Sequence, residues 1–329
     1  MSTARSATIA LVIATALWGS GFTWAKTAGE TVNHLAGVGD GAPLGPIWVL
    51  ACRFFIATVV WLAIFPDARR RWDLQVIWRS IVLGVLLSIG MIVQHLGLDR
   101  TSEAVSAFLT SLTILFVPLM MMIVLRRPPA GVMWAGVIVA GLGVWLLTGA
   151  SASTFGLGEL LGLACAVSYS VDIIAVNALV RPGDAARVTA GQFLVVAIIA
   201  AVTCVFLPAG RGSLAPARLI DLMSHRAIGL NVALLAVLAS CGAFGLQFRF
   251  QPALDPTRAA LLYLLEPIFA CICAGVLTGR WLDAKGTIGA VMILLANVLV
   301  ELLQARRRSA GDSDAAAMTD AGAGAAIVD

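Results

Sequence analysis

Charged side chains are scarce in this sequence of 329 residues, where Asp, Glu, Lys and Arg together make up 12%. Apolar residues make up 60%, and the mean hydropathy is +0.95. A soluble domain of this length needs a much larger polar surface. The composition therefore excludes a soluble globular protein and predicts an integral membrane protein.

Lysine is almost missing, with two lysines against 20 arginines. The formal net charge is only +4, and the arginines are scattered along the chain without aromatic residues between them. Nucleic-acid binders instead concentrate basic and aromatic residues on one face. We therefore predict no nucleic-acid partner.

Sequence motifs of catalysis and metal binding are also missing. The chain has no G-x-x-x-x-G-K-[ST] loop, no H-E-x-x-H and no G-x-S-x-G. Its six cysteines stand inside apolar runs and form no CxxC or Cys/His spacing, so we interpret them as small buried residues. The sequence predicts a protein that is not an enzyme and that uses no cofactor or metal.

Long apolar runs are abundant, and a helix needs about 20 apolar residues to cross a bilayer. Ten such runs are separated by polar or Gly/Pro breaks. They cover residues 8–28, 47–65, 75–97, 102–125, 130–149, 156–180, 188–208, 227–250, 257–278 and 286–304. The sequence thus predicts an all-α integral membrane protein with ten transmembrane helices.

The basic residues indicate the orientation of these helices. If the N-terminus is cytoplasmic, 14 of the 22 Lys and Arg residues lie on the cytoplasmic side. Basic residues are enriched in cytoplasmic loops, so both termini are predicted inside. The tail, residues 306–329, starts with three arginines and continues as a low-complexity acidic segment, which predicts disorder.

The two halves of the chain share polar positions when one is slid along the other by 153 residues. The matched pairs are Gln94 with Gln247, Arg127 with Arg280, and Gly136 with Gly289. Five helices per half is an odd number, so the second half crosses the membrane in the opposite sense. We predict two inverted five-helix repeats, residues 1–149 and 150–305.

Five short motifs occur in a fixed order along the chain. They are "ALWGSGFTWAK" (16–26), "ACRFFIATVVW" (51–61), "GMIVQHLGLDRTSEAVSAFLTSLTILFVPLM" (90–120), "RAALLYLLEPIFA" (258–270) and "GTIGAVMILLANVLVELL" (286–303). Together, over residues 8–304, they resemble the EamA-type members of the drug/metabolite transporter superfamily. The resemblance implies ten helices in two inverted repeats, cytoplasmic termini, and transport of small metabolites, amino acids or drugs, often outward.

Two features depart from the family pattern. The ninth helix ends in Gly279-Arg280, where the family usually has Gly-Glu. The external loop at residues 29–46 is longer than the usual short turn and is open to interpretation as a lid or as a loose insertion, of which we favour the insertion.

Two carboxylates lie at mid-membrane depth, where a charged group is costly unless it faces a cavity, finds a partner or takes up a proton. Asp172 is a candidate for substrate binding or proton coupling, or is packed neutral against the hydroxyls of Ser168 or Ser170. Glu266 precedes Pro267, which leaves the carbonyl of Tyr263 unpaired and opens the helix. Glu266 is either a binding or coupling residue or is satisfied by the backbone and by neighbouring polar groups at this break.

The remaining candidate site residues are polar or aromatic. Gln94 and Gln247 present amides to a central cavity from matched positions, or bond between helices. Trp18 and Phe22 share one face of the first helix and either form an aromatic wall of the cavity or pack between helices. Tyr263 completes the candidate set. Arg53 and Lys26 are interpreted as snorkelling cations at the outer surface, with attraction of anions to the mouth of the cavity as the alternative.

The sequence and the resemblance together predict a secondary active transporter in a bacterial cytoplasmic membrane, with protons as a candidate coupling ion. Its partners are a small-molecule substrate and the lipid bilayer, and export by alternating access is the favoured direction. An uptake permease on the same scaffold and a polytopic sensor that transports nothing are the alternatives.

Overall fold

The computed structural model describes residues 3–124, 131–148, 155–181, 183–254 and 256–325, and within these ranges no β-strand occurs. The α-helices are α1 (Thr3–Leu35), α2 (Leu44–Ile64), α3 (Leu74–Leu98), α4 (Glu103–Ser111), α5 (Thr113–Val124), α6 (Gly131–Leu147), α7 (Leu157–Leu179), α8 (Ala185–Phe206), α9 (Pro216–Ser224), α10 (Arg226–Leu234), α11 (Ala243–Phe250), α12 (Pro256–Tyr263), α13 (Glu266–Thr278) and α14 (Ala284–Ala325). A π-helical segment, Leu235–Gly242, joins α10 to α11. Short 3-10 turns follow α2 at Pro66–Arg69 and α11 at Gln251–Ala253.

Nine helical segments of the described chain are long and apolar enough to cross a membrane. They are Arg5–Leu35, Leu44–Ile64, Leu74–Leu98, Glu103–Met121, Leu157–Leu179, Ala185–Phe206, Arg226–Ala253, Ala259–Thr278 and Ala284–Leu303. At the predicted fifth span lies α6, which is apolar but only 17 residues long. The all-helical membrane class is therefore confirmed, whereas the number of ten spans is not.

Large apolar side chains cover the outside of the bundle. Leu74, Phe206 and Ile138 are 81%, 78% and 62% exposed. Lipid tails are as apolar as these side chains, so such a surface is stable in a bilayer and unfavourable in water.

Helices of the two halves pack against each other in a symmetric pattern. The pairs α2 with α8, α6 with α14 and α4 with α13 each join matching spans of the two halves. The contact of α3 with α7 has its counterpart in the contact of α1 with the α10–α11 span. Two related repeats that face each other are expected to produce such exchangeable pairs.

The fourth and ninth spans are broken at matching positions. Leu112 separates α4 from α5, and Leu264 and Leu265 separate α12 from α13. Leu112 and Leu265 coincide under the shift of 153 residues. Pro267 is the second residue of α13 and has no N–H to continue the helix, so the predicted break beside it is confirmed.

The predicted loop at residues 29–46 is largely helical, and the interpretation as a loose insertion is wrong. The helix α1 continues to Leu35 and α2 begins at Leu44, which leaves a short connection. Asn33 holds it, because its Nδ2 donates to the carbonyl of Ala42 at 2.9 Å and its Oδ1 accepts from the amide of Gly45 at 2.7 Å.

The tail differs from its sequence prediction as well. The backbone of residues 306–325 continues α14, where the low-complexity composition predicts disorder. Alanine, which is frequent in this segment, has the highest intrinsic helix propensity. Of the repeat pair Arg127 and Arg280, Arg127 lies outside the described residues.

Candidate functional site

A cavity of about 330 Å³ lies between the two halves of the bundle, beside the breaks in the fourth and ninth spans. The first, third, fourth, sixth, eighth and ninth spans line it, and α2 adds Arg53. The structure brings all the predicted site residues to this one cavity. They are Asp172, Glu266, Trp18, Phe22, Gln94, Gln247 and Tyr263. Their functional roles stay predictions.

Asp172 is a buried carboxylate without a partner. It lies on α7, and its Oδ1 is enclosed and accepts no hydrogen bond from the described residues. The hydroxyl of Ser168 donates instead to Ala164, at 2.9 Å, and that of Ser170 donates to Ala166, at 2.7 Å. The interpretation that these serines satisfy Asp172 is therefore wrong.

Glu266 is the first residue of α13 and faces the cavity. No hydrogen bond or ion pair reaches its carboxylate in the part of the chain that the structure describes, so its interpretation as a carboxylate satisfied by the backbone is wrong. The break that carries it is held closely by α1, since a Cβ at Gly19 would lie 2.6 Å from the carbonyl oxygen of Glu266. Only glycine allows this approach.

The amide Gln94 bonds between helices. Its Nε2 donates to the hydroxyl of Thr110 at 3.3 Å, and its Oε1 accepts from the hydroxyl of Tyr169 at 2.9 Å. The matching residue of the second half is Gln247, on α11. Near it, Tyr263 donates to Oε1 of Gln251 at 2.8 Å.

Aromatic rings form one wall of the cavity. The ring of Trp18 meets Phe244 edge-on with centroids 5.4 Å apart, and meets Tyr263 at 5.7 Å. The indole N–H of Trp18 is enclosed and, among the described groups, has no acceptor. Phe22, one turn further along α1, is buried and lines the same cavity.

Arg53 and Lys26 are both buried, so their interpretation as snorkelling surface residues is wrong. Nε of Arg53 donates to the hydroxyl of Ser240 at 2.9 Å. The ammonium of Lys26 donates to the carbonyl of Leu98 at 3.0 Å and to that of Thr101. The sequence places both near a helix end, but α1 extends beyond Lys26 to Leu35, and both side chains are less than a tenth exposed.

Four charged residues, Lys26, Glu30, Glu103 and Arg280, form a charged cluster over one end of the cavity. Arg280 Nη1 lies 3.1 Å from Oε1 of Glu103 and 3.6 Å from Oε1 of Glu30, and Lys26 lies 3.9 Å from Glu30. Lys26 follows the cavity residue Ala25 in the chain, and Glu103 lies one turn before the cavity residue Ala107. The cluster therefore joins α1, α4 and the end of α13 where the cavity stops.

Sequence reasoning missed Tyr169. It lines the cavity and lies within electrostatic range of Asp172, Glu266 and Arg53. One signal was available, because the chain has only two tyrosines and the other one, Tyr263, was among the predicted site residues.

The fold and site define a multi-pass helical membrane protein whose two related halves enclose a central cavity with aromatic and charged walls. The model of the EamA-like transporter family matches residues 5–149 and again residues 156–302, and the chain belongs to this family. The resemblance inferred from the motifs is thereby confirmed, and the protein is a membrane transporter.

Known relatives agree with this assignment. An uncharacterized transporter from Archaeoglobus fulgidus is 24% identical over 296 residues, which cover 90% of this chain and 86% of that protein. A solved crystal structure with 20% sequence identity has a TM-score of 0.58 and covers 92% of this chain and 98% of that one. At this identity, the likeness to the crystal structure shows the fold alone.

Proposed function

We propose that this protein is a secondary active transporter that exports a small organic compound bearing an ammonium group. The observation that carries the proposal is the pair of carboxylates, Asp172 and Glu266, which line one cavity and form no ion pair in the described chain. Oδ1 of Asp172 is enclosed and, among the described residues, accepts no hydrogen bond. A carboxylate in the membrane interior is costly unless a counter-charge or a proton reaches it. A cationic substrate and a proton are the two groups that satisfy this pair.

The aromatic wall supports an ammonium-bearing substrate with an apolar body. The rings of Trp18, Phe244 and Tyr263 contact one another and line the same cavity as the carboxylates. Ring faces attract cations, and the rings also cover apolar surface. The cavity volume of about 330 Å³ suits a small molecule.

Alternating access is the proposed mechanism, with the two repeats in inverted orientation. The exchangeable packing pairs and the matching breaks at Leu112 and Leu265 support a two-fold relationship between the halves. Broken helices at the binding site are a recurring feature of transporters built in this way. The charged cluster supports a state in which one end of the cavity is closed.

We assign proton exchange to Asp172 and ammonium binding to Glu266. Glu266 stands in the first turn of α13, where the helix dipole places partial positive charge beside it. Asp172 stands in the interior of α7 with no comparable group beside it. Protonation of Asp172 from one side and release to the other would drive the substrate against its gradient.

Both termini are proposed to lie in the cytoplasm of a bacterial cell, with the charged cluster toward the outside. The distribution of basic residues supports this orientation. The outward direction of transport rests on the family resemblance.

The test starts from cells that overexpress the protein and are screened for resistance to a panel of small amines and amino acids. The compound that gives resistance is then followed in proteoliposomes with an imposed pH gradient. We expect Asp172→Asn to abolish gradient-driven flux while exchange of labelled for unlabelled substrate persists. Glu266→Gln is expected to reduce binding itself.

Ser168→Ala serves as the matched control, because this residue lies on α7 near Asp172 but its hydroxyl is already bonded to Ala164. Unchanged driven flux in Asp172→Asn would rule out the coupling assignment. Accumulation of the compound inside right-side-out vesicles would show that the protein takes the compound up and does not export it. The absence of any flux would favour a sensor that transports nothing.

A further inference from the structure

Arg53 is the exception among the buried cations of the described chain. Lys26, Arg53 and Arg79 are each less than a tenth exposed. Arg79 pairs with Asp184 at 3.0 Å, and Lys26 lies 3.9 Å from Glu30 and donates to two carbonyl groups. Arg53 has no carboxylate partner in the described residues.

The surroundings of Arg53 leave part of its guanidinium free. Nε donates to the hydroxyl of Ser240, in the π-helical segment, and the group lies 5.0 Å from the ring centroid of Phe54. The terminal nitrogens donate to no group among the described residues, and the side chain lines the cavity. A guanidinium offers two parallel N–H donors that match the two oxygens of a carboxylate.

A buried cation without a counter-charge is strongly unfavourable, so an anion is expected at this position when the site is filled. The carboxylates Asp172 and Glu266 also line the cavity, and Tyr169 lies within electrostatic range of all three charged groups. The cavity thus carries one unpaired positive group and two unpaired negative groups.

We infer that Arg53 binds an anionic group of the substrate, and that the cavity is built for a zwitterion with a carboxylate at Arg53 and an ammonium group at Glu266. This inference rests on the proposed function for the ammonium end. It adds a second recognition point, and it gives Arg53 a role in selecting substrates.

The test compares three probes that share one branched apolar body: leucine, isopentylamine, which lacks the carboxylate, and 4-methylpentanoate, which lacks the ammonium group. Binding to the purified full-length protein in detergent is measured by calorimetry in a low-salt buffer that contains neither chloride nor carboxylates, so that no small anion competes. We expect leucine to bind about tenfold or more tightly than either analogue, because each charged hydrogen bond contributes to its affinity.

The variant Arg53→Gln is expected to weaken leucine binding about tenfold and to leave isopentylamine binding unchanged. Arg53→Lys keeps the charge but loses the fork of donors, so an intermediate loss for leucine is expected. This second variant also decides the question if Arg53→Gln does not fold. Arg79→Gln is the control, because it removes a buried arginine outside the cavity and should leave the leucine-to-isopentylamine ratio unchanged.

Four outcomes would overturn the inference. Isopentylamine could bind wild type as tightly as leucine, none of the three probes could bind, or the leucine-to-isopentylamine ratio could persist in folded Arg53→Gln. The first outcome would leave the proposed function intact, since an amine transporter without an anion site would remain. Tight binding of 4-methylpentanoate alone would instead contradict the ammonium end and with it the proposed function.

Discussion

Single charged residues in the interior of this protein differ in how their charges are balanced. Lys26 and Arg79, which lie outside the cavity, have carboxylate and carbonyl partners. Arg53, Asp172 and Glu266, which line it, have no partner of opposite charge in the described chain. Unbalanced charges inside a cavity are expected of a binding site for charged groups, because the ligand supplies the missing partners.

Asp99 follows α3 and lies outside the membrane-spanning segment. It allows the effect of charge burial on stability to be tested at a single carboxyl group. Burial raises the pKa of its carboxyl from 3.8 to about 6, with opposing contributions from Arg100 and Lys26 and supporting ones from Glu30 and Asp40. The folded protein therefore takes up this proton at higher pH than the unfolded chain. The stability contributed by the protonated form is complete below about pH 4 and is lost as the pH rises through about 6.

We expect Asp99→Asn, which imitates the protonated form, to raise the melting temperature at pH 8 and to leave it unchanged at pH 4. The increase should be about 2 °C, since the carboxyl is only partly buried and solvent screens it. Scanning fluorimetry between these pH values measures it, with Asp67→Asn as the control, because Asp67 is exposed and forms no ion pair among the described residues. A destabilised variant at pH 8 would contradict the expectation.

At the scale of single residues, the sequence predicts the acidic residues of the cavity better than its buried basic residue. Asp172 and Glu266 stand out because a carboxylate inside an apolar run is rare. The burial of Arg53 depends on packing that no local pattern encodes, such as its contact with Ser240 of the π-helical segment. Tyr169 was missed for a related reason, since a tyrosine in an apolar helix is ordinary until its neighbours are known.

The two helix breaks also differ in whether the local sequence predicts them. Pro267 marks the break in the ninth span, because proline removes a backbone donor. The matching break at Leu112 carries no proline or glycine of its own, so only the comparison of the halves points to it. Gly19 allows α1 to pack closely against the break in the ninth span, because its missing side chain lets α1 approach the carbonyl oxygen of Glu266.

The charged cluster predicts how firmly the ends of α1, α4 and α13 are held together over the cavity. Arg280 joins Glu30 of α1 to Glu103 of α4, and Glu103 is fully buried. We expect Arg280→Gln to loosen the ends of these helices and to open the cavity toward the outside more often. A cysteine introduced at the cavity residue Ala107 should then react about tenfold faster with a membrane-impermeant maleimide added outside, because a pair with one buried partner is lost.

The control for this measurement is Arg218→Gln, because Arg218 pairs with Asp221 on the exposed helix α9 at 2.5 Å. Both variants are compared in a background without the six native cysteines. An equal labelling rate in Arg280→Gln and the control would mean that the cluster does not hold the cavity closed.

At the scale of the whole molecule, the symmetry of the packing goes beyond what the aligned residues indicate. Gln94 and Gln247 are one of few polar matches between the halves. The helix contacts support the two-fold relationship between the halves independently of the sequence. The helix α3 packs against α7 in the same way as the α10–α11 span packs against α1. Sequence similarity between repeats decays while the contacts that bury their surfaces persist, so the pattern becomes visible only in three dimensions.

The proposed inverted orientation of the halves predicts that equivalent loops lie on opposite sides of the membrane. Asp40 lies in the exposed connection after α1, and Arg181 lies in the exposed connection after α7, the equivalent helix of the second half. In the cysteine-free background, we expect Asp40→Cys to react with an impermeant maleimide on intact cells. Arg181→Cys should react only after the membrane is permeabilised. The cysteine-free protein controls for background labelling, and reaction of both cysteines from the same side would contradict inversion, because five crossings separate these loops if every span is complete.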